Sequence, residues 1–265
     1  MECKNCHTSL RDTQNFYDEC GAKVIRNRLT PKILAHQVNE EFISIDNKFI
    51  QTLISLFSKP EAVIDGYING LRKKYINVIT YYAIALTVLG FQMFLLKQFF
   101  PEFLESQNNA FAESFKTGSN EAENPFADFP DLMNNYQGVL FSIFMPFIAI
   151  GTWIIYLDKK KHNYTEHLVI NLYITAQSIF FTFIIYMALA LFNVKDYFLA
   201  SIIATPPMII YGAYVFKRLF KSTFFNALLR YLVAYIIYMI AFSIILVLII
   251  IVLVVYLLIT GKLNL

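Results

Sequence analysis

Five apolar runs, each near or above the ~20 residues a helix needs to cross a bilayer core, occupy most of the chain from Ile76 onward. They fall at about 76–96, 138–157, 168–192, 198–216 and 228–259. Composition agrees: 57% of the 265 residues are hydrophobic and only 15% charged, against about 25% charged in an ordinary soluble domain. The excess of apolar side chains needs lipid as its solvent. The reading is an all-α membrane protein, a five-helix transmembrane bundle.

Basic residues set its orientation. Arg72, Lys73 and Lys74 precede the first run, Lys159, Lys160 and Lys161 follow the second, and Lys217, Arg218 and Lys221 follow the fourth. The connection at 98–136 carries seven acidic residues and a single lysine, Lys116. Positive charge stays on the cytosolic side, so this loop is extracytoplasmic, the amino terminus cytosolic and the carboxyl terminus extracytoplasmic. The first 30 residues are polar and lack the apolar core of a cleavable signal. The last run exceeds one crossing; a tilted helix accommodates it, and a reentrant hairpin is the alternative. A net charge of only +3, clustered beside apolar runs, argues against nucleic acid as a partner.

The opening "MECKNCHTSLRDTQNFYDECGAK" supplies the clearest chemistry. Cys3 and Cys6 form a CxxC knuckle; Cys20 ends a second whose first position is Tyr17. A zinc ribbon takes four ligands from two such knuckles, so residues 1–27 read as a small cytosolic zinc-ribbon-like head with one cysteine missing. Cys3, Cys6 and Cys20 hold zinc with His7, Asp18 or a second chain as fourth ligand, or the head keeps its turns without metal. The phenol of Tyr17 stays protonated near neutrality and is a poor ligand. Between head and bundle, residues 28–75 alternate polar and apolar positions at helical spacing, with openings at Thr30–Pro31 and Ser58–Pro60. They read as interfacial amphipathic helices on the cytosolic membrane surface, the alternative being a small soluble packing unit.

Within the apolar runs no ionisable residue lies near a centre, which disfavours proton coupling and intramembrane proteolysis. Asn171, Thr175, Ser178 and Thr182 recur at four, three and four residues and share one helix face, a helix contact or a polar pocket. Gln177 stands beside them, and Pro206 with Pro207 is expected to kink the fourth run. At the mouth of the third run, His162, Glu166 and His167 form a candidate interfacial site; the spacing is not HExxH.

In this order, the cysteine head, "QTLISLFSKPEAVIDGYINGLRKKY" and "YTEHLVINLY" resemble an uncharacterised family of bacterial inner-membrane proteins with an amino-terminal zinc ribbon. The resemblance implies the bacterial inner (cytoplasmic) membrane as location and no particular reaction. Tyr17 departs from the second knuckle of such heads, and Ile76 and Asn77 stand where the family tends to have a proline. The arrangement of crossings is also similar to the Yip1 family of trafficking scaffolds. The leading functional expectation is a non-enzymatic membrane scaffold that recruits a cytosolic protein partner or steadies a homo-oligomer, with membrane lipid around it. The alternatives are a channel or transporter for a neutral or lipid-like solute, through the polar stripe, and a headgroup-modifying enzyme using Glu166 and His167.

Overall fold

Capping residues set several of the helix boundaries. The computed structural model describes residues 2–3, 6–9, 15–17, 19–21, 24, 30, 47–106 and 133–259. Asp18, the helix opening at Pro31, residues 107–132 of the acidic connection and the final "GKLNL" lie outside them. The helices are α1 (47–58), α2 (Pro60–Ile68), α3 (Val78–Phe99), α4 (101–106), α5 (Gln137–Ile155), α6 (Tyr164–Leu191), α7 (Tyr197–Phe220) and α8 (Phe224–Ile259). Asn77 begins α3 by accepting the Thr80 N–H at 2.9 Å. Asp196 begins α7 by accepting from Phe198 and Leu199 at 2.8 and 3.2 Å. A capping box between Asn163 and Glu166 starts α6 at Tyr164, a turn before its apolar run.

Five of these helices, α3 and α5 to α8, are long and apolar enough to cross a membrane. They match the five expected spans to within about a turn. The fifth is a single helix from Phe224 to Ile259, which disposes of the reentrant hairpin. Pro206 and Pro207 sit inside α7, and Pro146 inside α5, without ending either helix.

The chain divides into two compact units, Met1–Asn47 and Lys48–Leu265. The boundary differs from the expected one. Residues 28–75 do not form a segment of their own, because from Lys48 onward they belong to the bundle. Helix α6 is its hub, packed on α3, α5 and α7, while α8 lies against α5 and α7 and α2 against α6 and α7. Thr52, Leu56, Val63 and Ile64 of α1 and α2 are completely buried, in one core with Tyr81, Tyr173 and Phe216. One face of α1 and α2 is thus packed on protein. At the opposite end Phe103 of α4 packs edge-on against Tyr186 and Tyr197.

Candidate functional site

In the first unit two turns have the same form. The His7 N–H donates to the Cys3 carbonyl at 3.0 Å, and the Gly21 N–H donates to the Tyr17 carbonyl at 2.8 Å. His7 and Gly21, each directly after a cysteine, both take the left-handed conformation, with φ of 59° and 66°. The turn at Tyr17 therefore keeps the shape of a knuckle without its first cysteine. The sulfurs of Cys3, Cys6 and Cys20 lie within 4.8 Å of one another. Cys3 Sγ and Cys20 Sγ are 3.6 Å apart, close to the ~3.8 Å edge that a tetrahedron with Zn–S bonds of 2.3 Å requires. Three corners of a soft-metal site are thus in place, and the donor set fits zinc.

Among the described residues the group stops at three. His7 does not join it: its ring points to Glu2, with Nδ1 3.6 Å from the carboxylate, and is largely exposed. The reason is in the backbone, because the position after the knuckle must turn left-handed and so carries its side chain away from the sulfurs. Sequence reasoning missed Thr8. Its hydroxyl lies 3.1 Å from Cys6 Sγ and 3.0 Å from a Glu19 carboxylate oxygen, so its one proton turns from Glu19 to the sulfur when the thiolate forms. Hydrogen bonding from the Thr8 side chain and backbone lowers the Cys6 thiol to about 7. In metal-free protein, alkylation of Cys6 is expected to rise with pH around a midpoint near 7. Thr8→Val should move that midpoint upward; mass-spectrometric rates for Cys6 across pH 5.5–9 provide the check.

In the second unit the polar stripe is taken up by helix contacts. Asn171 donates to Thr152 Oγ1 at 2.8 Å and to the His167 carbonyl at 2.7 Å. Thr175 reaches Met145 Sδ at 3.7 Å, and Thr182 donates back to the Ser178 carbonyl at 2.8 Å. His167 is buried, with Nδ1 3.2 Å from Thr152 Oγ1. It is a core residue, whereas a headgroup-level ring was expected.

His162 and Glu166 do come together, at 3.3 Å, and a residue the sequence did not flag joins them. Asp65 of α2 places Oδ1 3.4 Å from His162 Nε2 and takes the Lys161 ammonium on Oδ2 at 2.9 Å. Lys161 also donates to the Leu219 carbonyl at 2.7 Å. Burial of the ring and the Lys161 charge hold His162 below the ordinary histidine range, against the pull of Asp65 and Glu166. One turn earlier on α2, Glu61 grips Arg218 with both carboxylate oxygens. That hydrogen-bonded fork lowers the Glu61 carboxyl. Asp158 makes a second fork with Arg230 at 2.6 and 2.8 Å, fastening the end of α5 to α8. The arrangement ties four helices and a loop at one end of the bundle. Its carboxylates already hold ammonium, guanidinium or backbone groups, so it is built to fasten.

The architecture is that of a membrane-helix bundle preceded by a compact unit with a three-cysteine cluster. Over residues 46–90 the chain matches the family described as "Protein of unknown function (DUF3667)". That stretch takes in α1, α2, the basic turn and the first half of α3. No curated protein and no solved structure matches the chain.

Proposed function

We propose that the protein is a non-enzymatic membrane scaffold of the bacterial inner membrane, whose cysteine unit recruits a cytosolic protein partner. The observation that carries this reading is a contrast in chemistry. The polar stripe and His167 of the bundle are bonded within it, while the first unit gathers three thiols close enough together to hold a metal ion. Zinc held there would stiffen two short turns into a surface that a partner can read. The orientation, amino terminus in the cytosol and carboxyl terminus outside, is supported by the way basic residues converge. Lys161, Arg218 and Arg230 meet through Leu219, Glu61 and Asp158 at one end of the helices, as positive charge on the cytosolic side requires.

A photoreactive residue at the exposed Phe16 tests it in cells. A crosslinked species of defined mass is expected, and it should disappear when Cys3 and Cys6 are replaced by serine while membrane insertion is unchanged. Crosslinks that persist in the double variant would overturn the reading.

A further inference from the structure

We propose that α1 lies inside the bilayer, within the leaflet at the basic end, and that its Ile50, Ile54 and Phe57 face lipid acyl chains. Helix α1 is too short to span, and its flanking Lys48 and Lys59 suit a surface position. Its contacts place it elsewhere. The Gln177 amide donates to the Leu53 carbonyl at 3.2 Å, and Gln177 stands eleven residues along α6 from Glu166, about 17 Å at the helical rise of ~1.5 Å per residue. The Tyr211 hydroxyl donates to the Leu56 carbonyl at 3.2 Å, and Tyr211 stands seven residues along α7 from Arg218, about 10 Å. Helix α1 therefore crosses α6 and α7 some 10 to 17 Å beyond the charged end, at the depth of one hydrocarbon leaflet.

The hydrogen bonding of α1 is what that depth demands. A helix end leaves carbonyls without intrahelical partners, and in hydrocarbon no water takes them up. Here protein side chains do. Leu56 is served by Tyr211 and Ser58 by the Tyr214 hydroxyl at 3.1 Å. The unwound residue before α3 is treated alike. Ile76 donates to Thr52 Oγ1 at 3.0 Å and accepts from the Tyr173 hydroxyl at 2.9 Å. Irregular backbone at membrane depth is tolerated where it is sealed in this way.

The outer face of α1 completes the argument. Ile50, Ile54 and Phe57 recur at four and three residues and are 53%, 59% and 48% exposed. Phe49 of α1 packs on Tyr81 of α3 and Phe57 on Tyr211 of α7, so the stripe stands beside spanning helices whose own Ile79 and Ile210 are exposed.

The test uses purified full-length protein in lipid nanodiscs, with Cys3, Cys6 and Cys20 replaced by serine. A nitroxide is attached at Ile54→Cys or Ile50→Cys, with Lys73→Cys as the aqueous reference. Collision with oxygen is expected to exceed collision with a water-soluble nickel chelate several-fold at both α1 positions, and the reverse at residue 73. Nickel access equal to that at residue 73 would place α1 in water and overturn the proposal. Shielding from both quenchers would mean that protein covers the stripe, and would overturn it equally. Neither result touches the cysteine-dependent crosslink, so the two readings fail separately.

Discussion

Gly212→Ala is expected to lower the stability of the bundle by about 2 kcal/mol, within the ~1–3 kcal/mol typical of an overpacked core. A methyl group built on Gly212 would fall inside the ring of Tyr231. The ring lies directly on the α7 backbone there, 5.5 Å from the ring of Phe216. Small residues at helix contacts let backbones approach when lipid offers no hydrophobic drive for association. The α5–α8 contact uses the same device at Gly151, where an added Cβ would stand 3.2 Å from the Ala234 carbonyl. Relief at position 212 requires the Tyr231 ring to rotate off its seat or α8 to withdraw, and the Asp158–Arg230 fork, one residue away, resists withdrawal. Thermal unfolding in detergent should therefore show a lowered midpoint. Pairing Gly212→Ala with Tyr231→Leu should recover more stability than the separate effects sum to, because the methyl group then has room. An unchanged midpoint for the single variant, or strict additivity in the pair, would show that the contact is looser than the structure has it.

The five spans were legible because they depend on something local, a long window of apolar side chains, and so was the first CxxC. Their ends were less so. Helix α6 begins at Tyr164 because Asn163 and Glu166 cap each other, a reciprocal pair of hydrogen bonds that hydropathy does not see. The packing of α1 was not legible for a physical reason. Its mixture of serine, glutamine and large apolar side chains between two lysines does not say what it packs on; what holds it to the bundle are Gln177, Tyr211 and Tyr214, more than 120 residues further along the chain. Asp65 escaped for the same reason, since Lys161 and His162 lie 96 and 97 residues away. His7 was weighed as a ligand from its residue type, when the backbone conformation of its position decides where it points. The polar stripe of α6 was seen, but the residue set beside it, Gln177, holds the helix that matters most.

Gln177→Leu is accordingly expected to destabilise the bundle by about 1–3 kcal/mol, the cost of one buried polar group left unpaired. The side chain accepts a hydrogen bond from the Tyr81 hydroxyl and donates one to the Leu53 carbonyl, so one residue joins α3, α6 and α1. Hydrogen bonds between membrane helices average only ~0.6 kcal/mol, because the separated helices find other partners. Gln177 differs in what its loss strands. Leucine fills the space but leaves the fully buried Tyr81 hydroxyl unpaired, at ~1–3 kcal/mol, and removes the second hydrogen bond of the Leu53 carbonyl, which keeps its partner within α1. Adding Tyr81→Phe to Gln177→Leu removes the stranded hydroxyl and should return about 1 kcal/mol or more. Thr182→Val, on the stripe, costs under about 1 kcal/mol by comparison, since its hydroxyl bonds only within its own helix. The readout is the unfolding midpoint together with nitroxide mobility at Ile54. A loosened α1 over an intact set of spanning helices is the expected pattern for Gln177→Leu. Equal midpoints for Gln177→Leu and Thr182→Val would mean that α1 is held by apolar contact alone and that the polar seam through Tyr81, Gln177 and Leu53 contributes nothing.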